Sequence, residues 1–246
     1  MKLSILQLYS HDMNIYGDCG NVLAVQRRAE RYGLDTEIKV YNQGDAFPED
    51  PDIIIGGGGQ DSGQSKVIDD LHKISPKLKA LAEKNTPMLM VCGLYQLFGN
   101  FFKTHNGEIL KGLGIFDIET NGREKRLIGN VVSQSSQFGT LVGYENHSGQ
   151  TFLKNSAKPL AETVILGIGN NSGNNGKNLN EGCVYKSCIG TYLHGSVLPK
   201  NPAITDFLIK TALENKSMQL PEIGPDPYKT DIFIENARKV AKNLKR

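Results

Sequence analysis

No apolar run in the 246-residue sequence approaches the roughly 18 residues that a membrane-spanning helix needs. The apolar stretch at the start, Met1 to Leu8, is also too short for a secretory signal. Direct membrane insertion and export are therefore not expected, and a cytoplasmic location is. Charge of one sign is nowhere concentrated. Against 26 acidic residues stand 28 basic ones, without a block of five or six like charges, which speaks against a nucleic-acid partner. Cysteine is scarce. Cys19, Cys92, Cys183 and Cys188 contain no CxxC, so no disulfide framework is expected, and the sequons at Asn146, Asn170 and Asn215 are chance matches. No second Cys/His pair accompanies Cys183 and Cys188 at a zinc-like spacing, so no metal is expected. Internal repeats, linkers and an ATP-binding motif are missing as well.

What is present reads as an ordinary globular chain, with 39% hydrophobic and 22% charged residues. A chain of this length buries about 70–75% of its unfolded surface and can hold a core without disulfide or metal. One domain over residues 1–246 is expected. In the first half, strand-length apolar runs (Leu3 to Tyr9, Thr36 to Tyr41, Asp52 to Ile55, Pro87 to Val91) alternate with helical patterns over Asn21 to Tyr32, Ile68 to Lys84 and Leu94 to Phe102. Pro76 marks a boundary or kink. This alternation predicts an α/β fold, a mostly parallel central sheet with helices on both faces. The second half reads as strands over Ile115 to Glu119, Ile128 to Val132, Thr140 to Tyr144, Val164 to Ile168, Cys183 to Tyr185 and Ile189 to Leu193. Between them, Gly169 to Gly182 is rich in Asn and Gly and predicts a mobile surface loop. Two helices follow, Pro202 to Leu213 capped by Asn201, and Thr230 to Leu244.

The chemistry centres on Pro87-Met88-Leu89-Met90-Val91-Cys92-Gly93, where a buried strand runs into a cysteine and then a helix. That is the strand–turn–helix pattern of a nucleophile elbow with cysteine in the place of serine. The helix terminus is expected to favour thiolate and to offer backbone N–H groups to an oxyanion. Taken alone, the segment fits a small buried cysteine somewhat better than a nucleophile. Two features shift the balance. The Gly56–Gly59 run follows the preceding strand and matches neither a dinucleotide fingerprint nor a phosphate loop. His194, in Gly190-Thr191-Tyr192-Leu193-His194-Gly195, stands at a strand end where a base for the cysteine is needed.

These residues resemble the class I (triad-type) glutamine amidotransferases, in particular the cobyric-acid-synthase-like branch and its GatD subfamily. The resemblance runs through Leu8-Tyr9, Gly17-Asp18, Gly20-Asn21, Gly57-Gly58-Gly59-Gln60-Asp61, Gln64, the Cys92-Gly93-x-Tyr95-Gln96 elbow and Thr191-Tyr192-Leu193-His194-Gly195. It implies a flavodoxin-like α/β fold. It also implies that Cys92 attacks the glutamine side-chain amide while His194 moves the proton to the leaving ammonia. Gly93 and Gly58 would hold the oxyanion, Gly58 to within one residue because the run has four glycines. Arg126 would hold the glutamine α-carboxylate, a task suited to a guanidinium fork.

Two departures stand out. Leu94 occupies a position where this branch usually has glycine, and His194-Gly195-Ser196 lacks the acid found two residues after the histidine in most class I enzymes. Without an orienting carboxylate the imidazolium is less stabilised, so a slow isolated subunit completed by a partner residue is expected. The subfamily implies a MurT-like Mur ligase partner in a heterodimer. ATP and Mg would sit on that ligase and no cofactor on this chain, and lipid II would be reached through the partner at the inner membrane face. Two alternatives stay open: another acceptor, such as a cobyrinate-type substrate, and a non-catalytic scaffold of the same fold.

Overall fold

The computed structural model describes residues 2–173 and 179–244. Strands and helices alternate through the first half as β1 (Lys2–Leu8), α1 (Cys19–Arg31), β2 (Asp35–Tyr41), β3 (Ile53–Gly56), α2 (Asp61–Glu83) and β4 (Met88–Val91). Every residue of β3 and β4 is buried, as strands covered on both faces must be. A short α3 (Gly93–Leu97) precedes five strands: β5 (Phe101–Lys103), β6 (Ile109–Lys111), β7 (Ile118–Ser135), β8 (Gly139–Leu153) and β9 (Thr163–Leu166). The chain ends with β10 (Cys183–Tyr185), β11 (Cys188–Thr191), α4 (Val197–Lys200), α5 (Pro202–Glu214) and α6 (Thr230–Asn243).

The central sheet has the order β10-β11-β4-β3-β1-β2, parallel throughout except for β10. From β1 the chain crosses to β2 on one side, and from β3 it crosses to β4 on the other. Right-handed crossovers in opposite directions put α1 and α2 on opposite faces of the sheet. The reversal between β1 and β3 leaves a crevice at the carboxyl ends of the strands, the usual location of a site in an open α/β sheet.

The second sheet departs from the sequence reading. The helix expected over Leu94 to Phe102 stops at Leu97, and Phe101 to Lys103 pair instead with β6 and β7. The strands read at 115–119, 128–132 and 140–144 merge into the long β7/β8 hairpin, with a register shift between Gly122 and Leu127. Arg123, Glu124, Lys125 and Arg126 at that irregularity are exposed, so no apolar alternation announces the strand there. Helix α2 begins at Asp61 rather than Ile68, because the buried amide of Gln64 donates to the Gly93 carbonyl (3.1 Å) and to Gln96 Oε1 (2.8 Å). The helix also runs through Pro76, which is exposed, so the carbonyl deprived of its partner faces water.

Two further expectations change. The centre of the Asn/Gly-rich segment, residues 174–178, lies outside the described residues, but the flanks are anchored. Buried Asn170 accepts from the Tyr95 hydroxyl (3.0 Å) and the Gly182 N–H (3.1 Å) and donates to the Gly182 carbonyl (2.8 Å). Asn201 stands at the N-cap of α5, yet its side chain pairs with Val142 of β8 through both its oxygen and its nitrogen instead of capping. No helix among the described residues is long and apolar enough to cross a membrane.

Candidate active site

Four connections meet at the carboxyl edge of the central sheet: the loop after β1, the glycine run after β3, Cys92 after β4, and His194 after β11. Cys92 adopts φ 49° and ψ −100°, a strained backbone for a residue with a Cβ. It is held there by its N–H donating to the Thr191 carbonyl (2.8 Å) and by its carbonyl accepting from Gln96 (3.0 Å). Gln96 passes the tether on, its amide donating to the Tyr192 hydroxyl (3.0 Å). The elbow is thus fastened to the same strand that presents His194.

His194 reaches the site because its N–H donates to the Tyr144 carbonyl (2.7 Å), bridging β8 to the end of β11. Just upstream, the buried Glu181 carboxylate accepts from the Tyr192 N–H (2.7 Å) and the Thr191 hydroxyl (2.9 Å). Burial raises the Glu181 pKa to about 7. An ideal Cβ on Gly58 would lie 3.1 Å from both Cys92 Cβ and His194 Cε1, so cysteine and histidine flank one point.

The electrostatics differ from the sequence expectation. Burial pushes the Cys92 thiol up to about 12, and the Asp18 carboxylate adds to the rise. The Arg126 charge and the Gly93 N–H oppose it without reversing it. Burial likewise pushes His194 down to about 3, helped by His147, Arg126 and Lys200. The pair therefore rests as thiol and neutral imidazole, because desolvation outweighs one helix terminus. Both ring nitrogens of His194 are buried without a hydrogen-bond partner among the described residues. Ser196, at the position of the missing acid, turns its hydroxyl away to the Gly17 carbonyl (2.9 Å).

Cys92 opens onto a cavity of about 590 Å³ lined also by Tyr16, Gly59, Gln60, Asp61 and Arg126. Arg126 is steadied by Asn146, donating from Nε to Oδ1 (2.9 Å) and from Nη2 to the carbonyl (2.8 Å). The guanidinium also hydrogen-bonds Tyr16, and it lines the cavity, where a carboxylate can pair with its remaining N–H donors. His194 lies behind the wall, with the Tyr16 ring against it.

Gly58 is brought to the site, but its N–H donates to Asp18 Oδ2 (2.8 Å) and is not available to an oxyanion. Gly59 lines the cavity instead, and its N–H has no acceptor among the described residues. The Gly93 N–H points at the Cys92 sulfur. The substitution of Leu94 for glycine is accommodated by Gly56, where a Cβ would collide with the Leu94 side chain. Sequence reasoning missed Asp18 and Tyr16, although Gly17-Asp18 was visible as part of a motif without a role; Gly59 falls within the one-residue latitude given to Gly58. Cys183 and Cys188 are buried thiols with pKa values raised to about 12. No three His, Cys, Asp or Glu side chains cluster for a metal among the described residues.

The profile of the CobB/CobQ-like glutamine amidotransferase domain matches residues 3–202. The chain is 38% identical over 218 residues to the lipid II isoglutaminyl synthase (glutamine-hydrolyzing) subunit GatD of Staphylococcus aureus strain N315, spanning 88% of this chain and 87% of that one. It is 36% identical over 226 residues to the corresponding subunit of Streptococcus pneumoniae strain ATCC BAA-255 / R6, spanning 89% and 85%. A solved glutamine amidotransferase superposes with a TM-score of 0.56 at 12% identity, over 84% of this chain and 98% of that one, a likeness of fold.

Proposed function

This chain belongs to the CobB/CobQ-like glutamine amidotransferase family, and from that membership we propose that it is the glutaminase subunit of a lipid II isoglutaminyl synthase. The observation that carries the reading is Cys92 on a strained elbow, with His194 across the Gly58 point and Arg126 on the rim of the same cavity. In the reaction, Cys92 Sγ attacks the side-chain carbonyl carbon of glutamine. His194 takes the thiol proton and delivers it to the departing nitrogen, so that ammonia leaves and a γ-glutamyl thioester remains. Water, deprotonated by His194, then cleaves the thioester to glutamate and regenerates the thiol. The N–H groups of Gly93 and Gly59 stabilise the oxyanion of each tetrahedral intermediate, and Arg126 pairs with the α-carboxylate.

The resting pair is neutral, and every charged group that shifts His194 disfavours imidazolium. A carboxylate from outside the chain, placed near the imidazole, would supply the missing stabilisation. This favours a slow isolated subunit activated in a heterodimer with a MurT-like ligase. The ligase would bind ATP and Mg, consume the ammonia and amidate the D-glutamate of the lipid II stem peptide, so that this chain meets the membrane surface only through it. The identity to two GatD subunits over most of both chains supports this acceptor over a cobyrinate-type one.

The test is glutamate release from glutamine by wild type and Cys92→Ala, each with and without a co-expressed Mur-type ligase. Release that requires Cys92 and rises with the ligase is expected. No Cys92-dependent release in either condition, from folded protein, leaves a non-catalytic scaffold.

A further inference from the structure

Asp18 is a buried acid at the edge of the site for which the reaction above has no use. It is 2% exposed, and its Oδ1 is buried without a hydrogen-bond partner among the described residues. It stands at the N-cap of α1, where aspartate ordinarily accepts an N–H of its own helix. Here the side chain makes no cap bond. It reaches across to the glycine run instead, where Oδ2 accepts from the Gly58 N–H at 2.8 Å. Forgoing a local cap and burying an unpartnered carboxylate oxygen are both unfavourable, so something other than local stability accounts for the contact.

The neighbouring peptides suggest what. The Gly58 carbonyl accepts from the Ile15 N–H (3.1 Å), and the Gly57 carbonyl accepts from Leu94 (3.4 Å). In a trans peptide the C=O and N–H point in opposite directions. With the N–H of Gly58 tied to Asp18 and its C=O tied to Ile15, the next N–H, that of Gly59, is turned toward the elbow. Its nitrogen lies 3.0 Å from where a Cβ on Gly93 would be. The run is closely packed as well, since a Cβ at Gly57 would strike Met13 and Asp18 and one at Gly59 would strike Met13.

We propose that Asp18 is a positioning residue for the oxyanion hole: by holding the Gly58 N–H, its carboxylate aims the Gly59 N–H at the position where the tetrahedral oxygen forms on Cys92. This rests on the glutaminase reading above and adds to it the part that sets the hole. A donor aimed in this way acts on the transition state more than on bound glutamine, so its loss falls on kcat rather than KM.

The experiment compares Asp18→Asn and Asp18→Leu with wild type and Cys92→Ala, as the complex with the co-expressed ligase, following glutamate release against glutamine concentration. Asparagine keeps an acceptor oxygen in place; leucine keeps the branching and removes the acceptor. Asp18→Leu is expected to lose about 100-fold in kcat with KM unchanged, the scale of one oxyanion donor, while Asp18→Asn retains most of the rate. A folded Asp18→Leu as fast as wild type, a loss carried by KM, or an equal loss in both variants overturns the proposal. If leucine does not fold, Asp18→Ala replaces it with the same expectation; if neither folds, Asp18 serves the fold and the proposal fails. Wild-type release without dependence on Cys92 overturns the functional reading as well, whereas Cys92-dependent release that Asp18→Leu leaves intact overturns this inference alone.

Discussion

The ring of Tyr16 lies against the imidazole of His194, with centroids 4.3 Å apart and planes inclined by 56°. Tyr16 lines the cavity and His194 is 1% exposed, so this contact is one of those that keep water from the base. Burial is the largest cause of the low His194 pKa of about 3. Removing the ring with Tyr16→Ala should admit water, favour imidazolium and move that pKa upward toward 6.5. Tyr16→Phe should leave it in place. An NMR titration of the His194 ring reads both, and an unchanged midpoint in the alanine variant would show that the desolvation comes from elsewhere.

Arg126 donates to Asn146 from Nε and Nη2 and hydrogen-bonds Tyr16, which holds its planar fork beside the cavity. Lysine has no planar fork and offers a point charge in its place. Arg126→Lys should raise the KM for glutamine about 10- to 100-fold, the worth of one charge-assisted hydrogen bond, with a smaller change in kcat. Steady-state kinetics decide it, and a loss confined to kcat would take Arg126 out of carboxylate binding.

Asp18 also has a signature in stability that does not depend on catalysis. Burial raises its pKa from 3.8 to about 6, against the pull of the Gly58 N–H. Between those values the folded state holds a proton that the unfolded state has released, so stability falls as pH rises through the window and stays low above it. Asp18→Asn removes that titration. It should be more stable than wild type at pH 7–8, by on the order of 1–3 kcal/mol, and lose the advantage near pH 4. His194 titrates in the opposite sense over a similar range but is common to both proteins, so denaturant unfolding of the pair at several pH values isolates the aspartate. A difference that does not vary with pH would contradict this account.

The strained elbow predicts a trade of activity against stability. At φ 49° and ψ −100° a Cβ is unfavourable, and glycine alone escapes the penalty. Cys92→Gly and Cys92→Ala should both be inactive, with the glycine variant more stable than the alanine one by about 1–3 kcal/mol, the strain of such a backbone. Thermal unfolding of the two variants makes the comparison, and an alanine variant of equal or greater stability would remove the strain from the description.

Gly190, on β11 just before the histidine loop, has no room for a side chain. A Cβ there would collide with the Tyr95 ring and come within 3.0 Å of Phe116 Cε2. Gly190→Ala should destabilise the protein by about 1–3 kcal/mol or more, as overpacking of a tight core does. Because Tyr95 neighbours the elbow in α3, activity should fall with it; a wild-type melting temperature would refute the contact.

The buried strands and the helices between them were legible because continuous apolar runs and 3.6-residue spacings are local properties. The elbow at Cys92, the histidine at the end of β11 and the glycine run were legible for the same reason: each is a short pattern next to a recognisable strand. The β7/β8 hairpin was not, because exposed charged residues at its irregularity break the alternation, and the early start of α2 was hidden because Gln64 is buried by hydrogen bonds that carry no apolar signal. The sequence by itself determined which residue types were available for thiol chemistry and on which strand ends they stand. Only the tertiary structure decided that Asp18 takes the Gly58 N–H while Gly59 lines the cavity onto which Cys92 opens, that Tyr16 covers His194, and that cysteine and histidine rest neutral. Hydrogen-bond direction and desolvation depend on residues brought together from distant parts of the chain, and no spacing along it records them.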